Sequence, residues 1–465
     1  MPGIGCTPFV TNSTAGLGDG LRKSYANHFY PRFGFAYRPF GNGDTVVRGG
    51  FGMYSAPLLG AVLYSLTGTA QTDVRTFTNV GADGKPLFYW PNTRTGGNGV
   101  SVDNYGSAYF GTGNSIDLKN PYMIQWNMSI DRSIGFNTGL RVTYIGSHSV
   151  DLGWAQNLNQ SAYSTTFYVL QPLTSRPYPY CGRIENRDSG GTAFYNALQV
   201  EANRRYKAGL TFTGTYTWAK NLNDVGGPNP TSFGGETGNG RVLDAYDRTN
   251  SRGNDYRTRR HRFVATGVYD LPIGKGKKYA GGSSRAMDAL VGGWQISTIF
   301  LAQTGPYETA YFSGADPSGT GSGGYRNQRP DLVGNPVASN QSATQWFVVS
   351  AYACPGQPAG AKFACTIGAN PATSLAPLGR FGNEGVGGLV GPGTLNTSMG
   401  FSKSFAIWER VRVKLNGSFT NIFDRTNYAD PSLKLTSSSF GTITSAARSE
   451  FGGARTGQVG VRIEF

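Results

Sequence analysis

Residues 456–465 read TGQVGVRIEF. Val459, Val461, Ile463 and Phe465 alternate with Gln458, Gly460, Arg462 and Glu464. Successive side chains of an extended strand point to opposite faces, so this segment carries one apolar and one polar face. A soluble sandwich can end on such a strand too. Here the same pattern recurs along the chain, and it recurs in pairs. The expectation is an all-β chain forming an antiparallel transmembrane β-barrel, with 456–465 as its closing strand.

Composition points the same way. Gly is 68 of 465 residues, about twice the usual 7%. Aromatic residues reach 13% and charged residues only 15%, against about 25% charged in a typical soluble domain. A mean hydropathy of -0.33 and the lack of any apolar run of helix-spanning length exclude a helical membrane protein. A barrel escapes that test, because only every second residue of each strand meets lipid. The formal charge is +15. Its densest patch, RTRRHR at 257–262, stands at the mouth of a strand, outside any nucleic-acid-binding motif, so no nucleic-acid partner is expected. A charged barrel rim or an anion-attracting lumen accounts for the same excess.

From residue 31 the chain reads PRFGFAYRPF, a GNGD turn, then TVVRGGFGMY, a hairpin signal. A second hairpin joins 122–132 to 140–144 through a turn at 135–137. A third joins 194–205 to 209–220, where Leu210, Phe212, Gly214, Tyr216 and Trp218 alternate with four threonines. A fourth joins 261–271 to 294–303 through a GKGKK-containing connection. A fifth joins 394–405 to 410–419, opposing Val411, Val413 and Leu415 to Arg410, Arg412 and Lys414. Burying those three basic residues would be very unfavourable, so their face must see water.

Hairpins of about ten residues per strand suit a tilted bilayer crossing. Short turns alternate with long connections, the asymmetry of outer-membrane barrels, with short periplasmic turns and long extracellular loops. Trp126, Trp218, Trp294 and Trp408 fall near strand ends or turns, where interfacial belts form. Short strands such as 73–77 could interrupt the first long stretch. Five hairpins and the closing strand make about eleven strands, half of the twenty-two of plugged transporters, so a partial barrel is expected.

Residues 29–54, 120–132 (NPYMIQWNMSIDR), 193–221, 260–272 (RHRFVATGVYDLP), 421–428 (NIFDRTNY) and the terminal RTGQVGVRIEF resemble the Oar-like branch of TonB-dependent outer-membrane receptors. The resemblance covers most of the strands. It implies a twenty-two-stranded barrel in a Gram-negative outer membrane, with energised import of a bulky solute. It also implies that Phe465 is the terminal aromatic read by the outer-membrane assembly machinery. No plug, TonB box or regulatory-like amino-terminal domain is recognisable. Residues 1–465 are therefore expected to be the carboxy-terminal portion of one barrel domain, truncated or processed upstream. The TonB complex is a partner only if a plug is supplied, and outer-membrane lipid is expected around the barrel.

No GxSxG, HExxH or Walker A motif occurs, and no dinucleotide fingerprint stands in a strand–helix context, GTGSGG at 319–324 reading as a flexible loop, so neither an enzyme nor a cofactor is expected. Cysteine and histidine spacings suit no metal. Asp316 in its polar surroundings is a poor calcium site for want of a second carboxylate. Cys354 and Cys365 flank ten residues of a Pro/Gly-rich stretch. That suits a disulfide stapling an exposed loop in an oxidising compartment, with two unrelated thiols as the alternative. Arg141, Arg410, Arg412, Lys414 and Arg462 are candidate lumen-facing residues that would favour anionic solutes or meet a plug. Pairing with acids on neighbouring strands is the competing reading. Two rival functions are a non-transporting surface protein for adhesion or envelope organisation, and a secreted polysaccharide-binding β-protein.

Overall fold

The computed structural model describes residues 11–18, 29–41, 43–55, 110–165, 175–178, 184–225, 243–313, 316–321, 327–355, 378–408, 411–447 and 453–465, with a few isolated positions besides. The expected short strand at 73–77 lies outside the described residues. Eleven strands carry the fold. They are β1 (Arg32–Tyr37), β2 (Thr45–Ser55), β3 (Tyr122–Ser133), β4 (Thr138–Asn157), β5 (Ile184–Lys207) and β6 (Leu210–Asn223). After them come β7 (His261–Asp270), β8 (Trp294–Gln303), β9 (Thr394–Trp408), β10 (Val411–Thr420) and β11 (Thr456–Glu464). Each pairs with the next, so sheet order follows chain order, and β1 and β11 are the two edges of an unclosed sheet.

The four short connections and the longer, helix-bearing β7–β8 connection gather at one end of this sheet and the five longest at the other. Among the described turns the tightest is Ala208–Gly209, where φ is +55° and +83°. Positive φ at both central residues gives a turn whose twist matches that of the strands it joins. Gly209 is held there doubly, because a Cβ would stand 2.7 Å from the Asp270 carbonyl oxygen.

Register shows that the alternation is continuous from strand to strand. The row Leu415–Val461 on β10 and β11 continues a face that carries Phe401, Ile296, Phe263, Tyr216, Val200, Val142, Ile130 and Val47. No second layer of the described residues covers this face: Phe33, Met128, Ile130, Val459, Val461 and Ile463 are all exposed. A soluble sheet would pack these side chains against another layer.

Part of the high glycine content belongs to this face. Phe35 pairs with Gly49, Trp126 with Gly146 and Phe419 with Gly457. In each case the aromatic ring lies over the glycine and fills the space of the missing side chain. A Cβ at 146 would overlap the Trp126 indole. Gly146→Val should therefore destabilise the β3–β4 pair by about 1–3 kcal/mol, read as a lower midpoint in denaturant unfolding of the folded, detergent-solubilised protein.

The buried core sits elsewhere. Phe312, Phe347, Tyr352, Leu389, Leu435 and Phe440 form one buried cluster, and all six come from the two long connections after β8 and β10. These stretches, expected to be loops, fold into a cap with three two-stranded ladders: Tyr307–Glu308 with Leu389–Val390, Asp331–Leu332 with Tyr352–Ala353, and Val337–Ser342 with Gln345–Phe347. Their strands are too short and irregular to show a period-two pattern. β4 and β5 also overrun the ten-residue expectation, at 20 and 24 residues. At their far ends Trp154 and Ala155 are buried, Trp154 packing with Leu152 and Val225 in a cluster of its own.

Candidate functional site

The opposite face of the sheet is lined mainly by amides and hydroxyls. Gln125, Asn127, Thr143, Gln199, Thr215, Asn396 and Asn416 all lie on it by register. Such groups hydrogen-bond a neutral polar solute without demanding a charge. A depression of about 360 Å³ opens on β1–β3. There Gly34, Gly50 and Gly52 remove side chains beside Gln125, Asn127 and Tyr54, and the Arg32 guanidinium stands 4.5 Å from the Tyr54 ring centre. The glycines of RGGFG were the available sequence signal for this hollow, and periodicity alone reads them only as weak strand.

Charges collect at the short-turn end. Arg141 and Arg48 both pair with the Asp131 carboxylate, and Glu201 stands opposite Arg141 on β5. Arg412 lies opposite Glu464, and Lys414 opposite Arg462. Arg462 reaches Glu464 at 3.2 Å. Arg412, Lys414 and Arg462 thus share one patch with Glu464, whereas Arg141 belongs to a separate cluster six strands away. Arg410 lies outside the described residues. Arg141 pairs with Asp131 of the neighbouring strand and Arg462 with Glu464 of its own strand, and such exposed pairs contribute little to stability.

Lys403 lies on the apolar face. Lys403 sits opposite Leu415 and Trp294, and its ammonium donates to the Leu290 and Gly292 carbonyls at 3.0 and 2.5 Å. Those carbonyls end a short helix, α1 (Arg285–Val291), within the β7–β8 connection. Trp294 donates its indole N–H to the same Leu290 oxygen. A cation at a helix carboxy terminus is favourable, and here it lies 5.0 Å from the Trp294 ring centre. Sequence reasoning missed both helix and lysine, because seven residues carry too little helical period.

In the cap, loops are tied by polar side chains, buried at Arg329 and Asp331 and exposed at Arg380. Arg329 donates to the Glu384 carbonyl at 2.5 Å and the Asn250 carbonyl at 2.6 Å. Arg380 forks onto Asp331 at 2.8 and 2.7 Å. Burial pushes the Glu384 carboxyl up to about 7, against the pull of Arg329. Burial, with Asp430 nearby, pushes Glu308 up to about 9. The Tyr256 hydroxyl donates to Asp430 at 2.7 Å. Asp316, weighed above for calcium, is buried and accepts from the Ser318 hydroxyl at 2.7 Å and the Gly321 amide at 2.5 Å, which fits a turn. Among the described residues no group of three metal-ligating side chains occurs.

Cys354 is disulfide-bonded. It is buried in the cap cluster, where an exposed loop was expected. Cys365 lies outside the described residues. Phe465 follows β11 and is fully exposed.

No curated protein matches the sequence. Among solved structures, the chain is similar to the outer membrane transporter YddB from Escherichia coli, at 9% identity and a TM-score of 0.46, covering 94% of this chain and 40% of that one. It is also similar to the pyoverdine outer membrane receptor FpvA from Pseudomonas aeruginosa, at 8% identity and a TM-score of 0.41, with 95% and 36% covered. A third is the FrpB iron transporter from Neisseria meningitidis, at 8% identity and a TM-score of 0.37, with 93% and 39% covered. The chain thus spans 40% or less of the length of each. The family model for the outer membrane β-barrel domain matches residues 6–458. With its two-faced antiparallel sheet, this chain belongs to the outer membrane β-barrel domain family and resides in the cell outer membrane.

Proposed function

We propose that residues 1–465 are the carboxy-terminal portion of a TonB-dependent receptor-like barrel of the Oar-like branch, which takes up a bulky polar solute. The apolar face meets lipid and the amide- and hydroxyl-lined face meets a wet lumen. Arg141, Arg410, Arg412, Lys414 and Arg462 line that lumen near its periplasmic end, where they face solute or a plug. Cys354 pairs with Cys365 and braces the extracellular cap, and Phe465 serves as the assembly signal. TonB acts on this barrel when a plug is supplied.

The observation that carries the reading is the polar face itself. Its middle is lined by amides and hydroxyls, Arg32 and Arg262 stand toward its long-connection end, and Arg48, Arg141, Arg412, Lys414 and Arg462 toward the short-turn end. A solute crossing this face passes its amides and hydroxyls before it reaches the cationic patch of Arg412, Lys414 and Arg462. The test is solute uptake by cells expressing the full-length gene product, beside an R412E/K414E/R462E variant. Uptake that depends on the protein, and whose preference for anionic solutes falls in the variant, supports import. Intact surface binding without uptake supports the adhesion reading instead.

A further inference from the structure

A groove of about 570 Å³ lies at the long-connection rim of the sheet. Its floor is one cross-strand row of the apolar face, Tyr216–Phe263–Ala302–Leu395. Ala302 leaves this row hollow between the ring of Phe263 and the Leu395 side chain. The walls come from the cap: Trp346 and Tyr428, whose ring centres stand 6.4 Å apart, and the 425–427 turn. At the upper edge the Tyr216 hydroxyl and His261 Nδ1 are 2.8 Å apart. Arg425 lines the groove, and no carboxylate does. Its backbone is pinned on both sides, its N–H donating to the Asn421 side-chain oxygen at 3.1 Å and its carbonyl accepting from Asn421 Nδ2 at 2.9 Å.

We propose that this groove binds a phosphorylated glycolipid of the outer leaflet. Three observations choose the occupant. The floor is continuous with the face that meets lipid, so an acyl chain reaches the hollow above Ala302 without leaving the bilayer. The groove opens at the rim carrying the long connections, which is the outer-leaflet side of an outer-membrane barrel. Its lining sets aromatic faces and the arginines Arg425 and Arg262 at headgroup height, the chemistry that stacks on sugar rings and forks onto a phosphate. A phospholipid would use the hollow and Arg425 but leave the Trp346–Tyr428 wall without a sugar. The inference rests on the membrane placement alone and is independent of what the barrel transports.

The test uses the full-length protein purified from outer membranes in mild detergent. A bisphosphorylated, acylated glucosamine disaccharide and, separately, phosphatidylglycerol are titrated in, and bound lipid is read by native mass spectrometry. The glycolipid should bind one per protein. R425E and A302W should each weaken it about tenfold or more, whereas R412E on the opposite face should leave it unchanged. R425E changes a cap residue outside every strand, so it remains informative if A302W fails to assemble. Equal binding of both lipids, or glycolipid binding that survives R425E in folded protein, would overturn the proposal.

Discussion

Leu415→Arg should prevent stable membrane assembly, while Asn416→Arg, one residue along, should be tolerated. Leu415 lies on the apolar face, more than a third exposed, between Lys403 of β9 and Val461 of β11. Asn416 points to the other side, opposite Ser402 and Gly460. An arginine facing lipid near mid-depth destabilises a barrel by about 2–4 kcal/mol, and less toward the interfaces. On the wet face the same side chain keeps its water. The pair isolates face from position, since neighbouring residues share strand, depth and backbone hydrogen bonding. Heat-modifiable migration of the folded barrel on a gel is the measurement. Equal tolerance of both substitutions would remove the assignment of faces, and with it the membrane reading of this sheet.

The second large effect belongs to the cap. Glu308 is 1% exposed on the Tyr307–Glu308 ladder, and burial with Asp430 raises its carboxyl from 4.5 to about 9. Between those values the folded cap keeps a proton that the unfolded chain has released. Unfolding then loses protons, so cap stability falls as pH rises through the window. The stabilisation is whole below about 4.5 and gone above about 9. Glu308→Gln keeps the shape and removes the titration. The variant should hold the cap nearly constant across this range, with only the slope due to Glu384 left below about 7. At pH 8 it should exceed the wild type by an amount on the order of several kcal/mol. Hydrogen exchange at 305–313 and 427–433, followed from pH 5 to 9, reads the difference directly. Identical pH profiles for the two proteins would show that Glu308 is not held protonated.

The two experiments probe two solvents. Lipid rewards the outward apolar row and water tolerates the row behind it, so the sheet needs no packed second layer. The cap has to stay folded in water, and it carries the buried aromatic cluster that the barrel lacks. Lys403 and Trp294 stand between these regimes at the opposite rim, holding the end of a helix against the strands.

The strands were legible in the sequence because period-two alternation is local: Val459 to Ile463, or Leu210 to Trp218, shows its two faces without reference to any neighbour. The expected count of about eleven and the order of hairpins follow from that pattern and from short, Gly-rich turns. The amino-acid sequence by itself therefore determined the two-faced antiparallel sheet and the face that Arg412, Lys414 and Arg462 share. Tertiary structure alone decided what meets what. Asp131 joins Arg48 and Arg141 across three strands, Ala302 hollows a groove between Phe263 and Leu395, and Glu308 is buried near Asp430 from a connection over a hundred residues away. Such contacts depend on register and on how long connections fold back, and both are set by the packing of distant segments rather than by any local period.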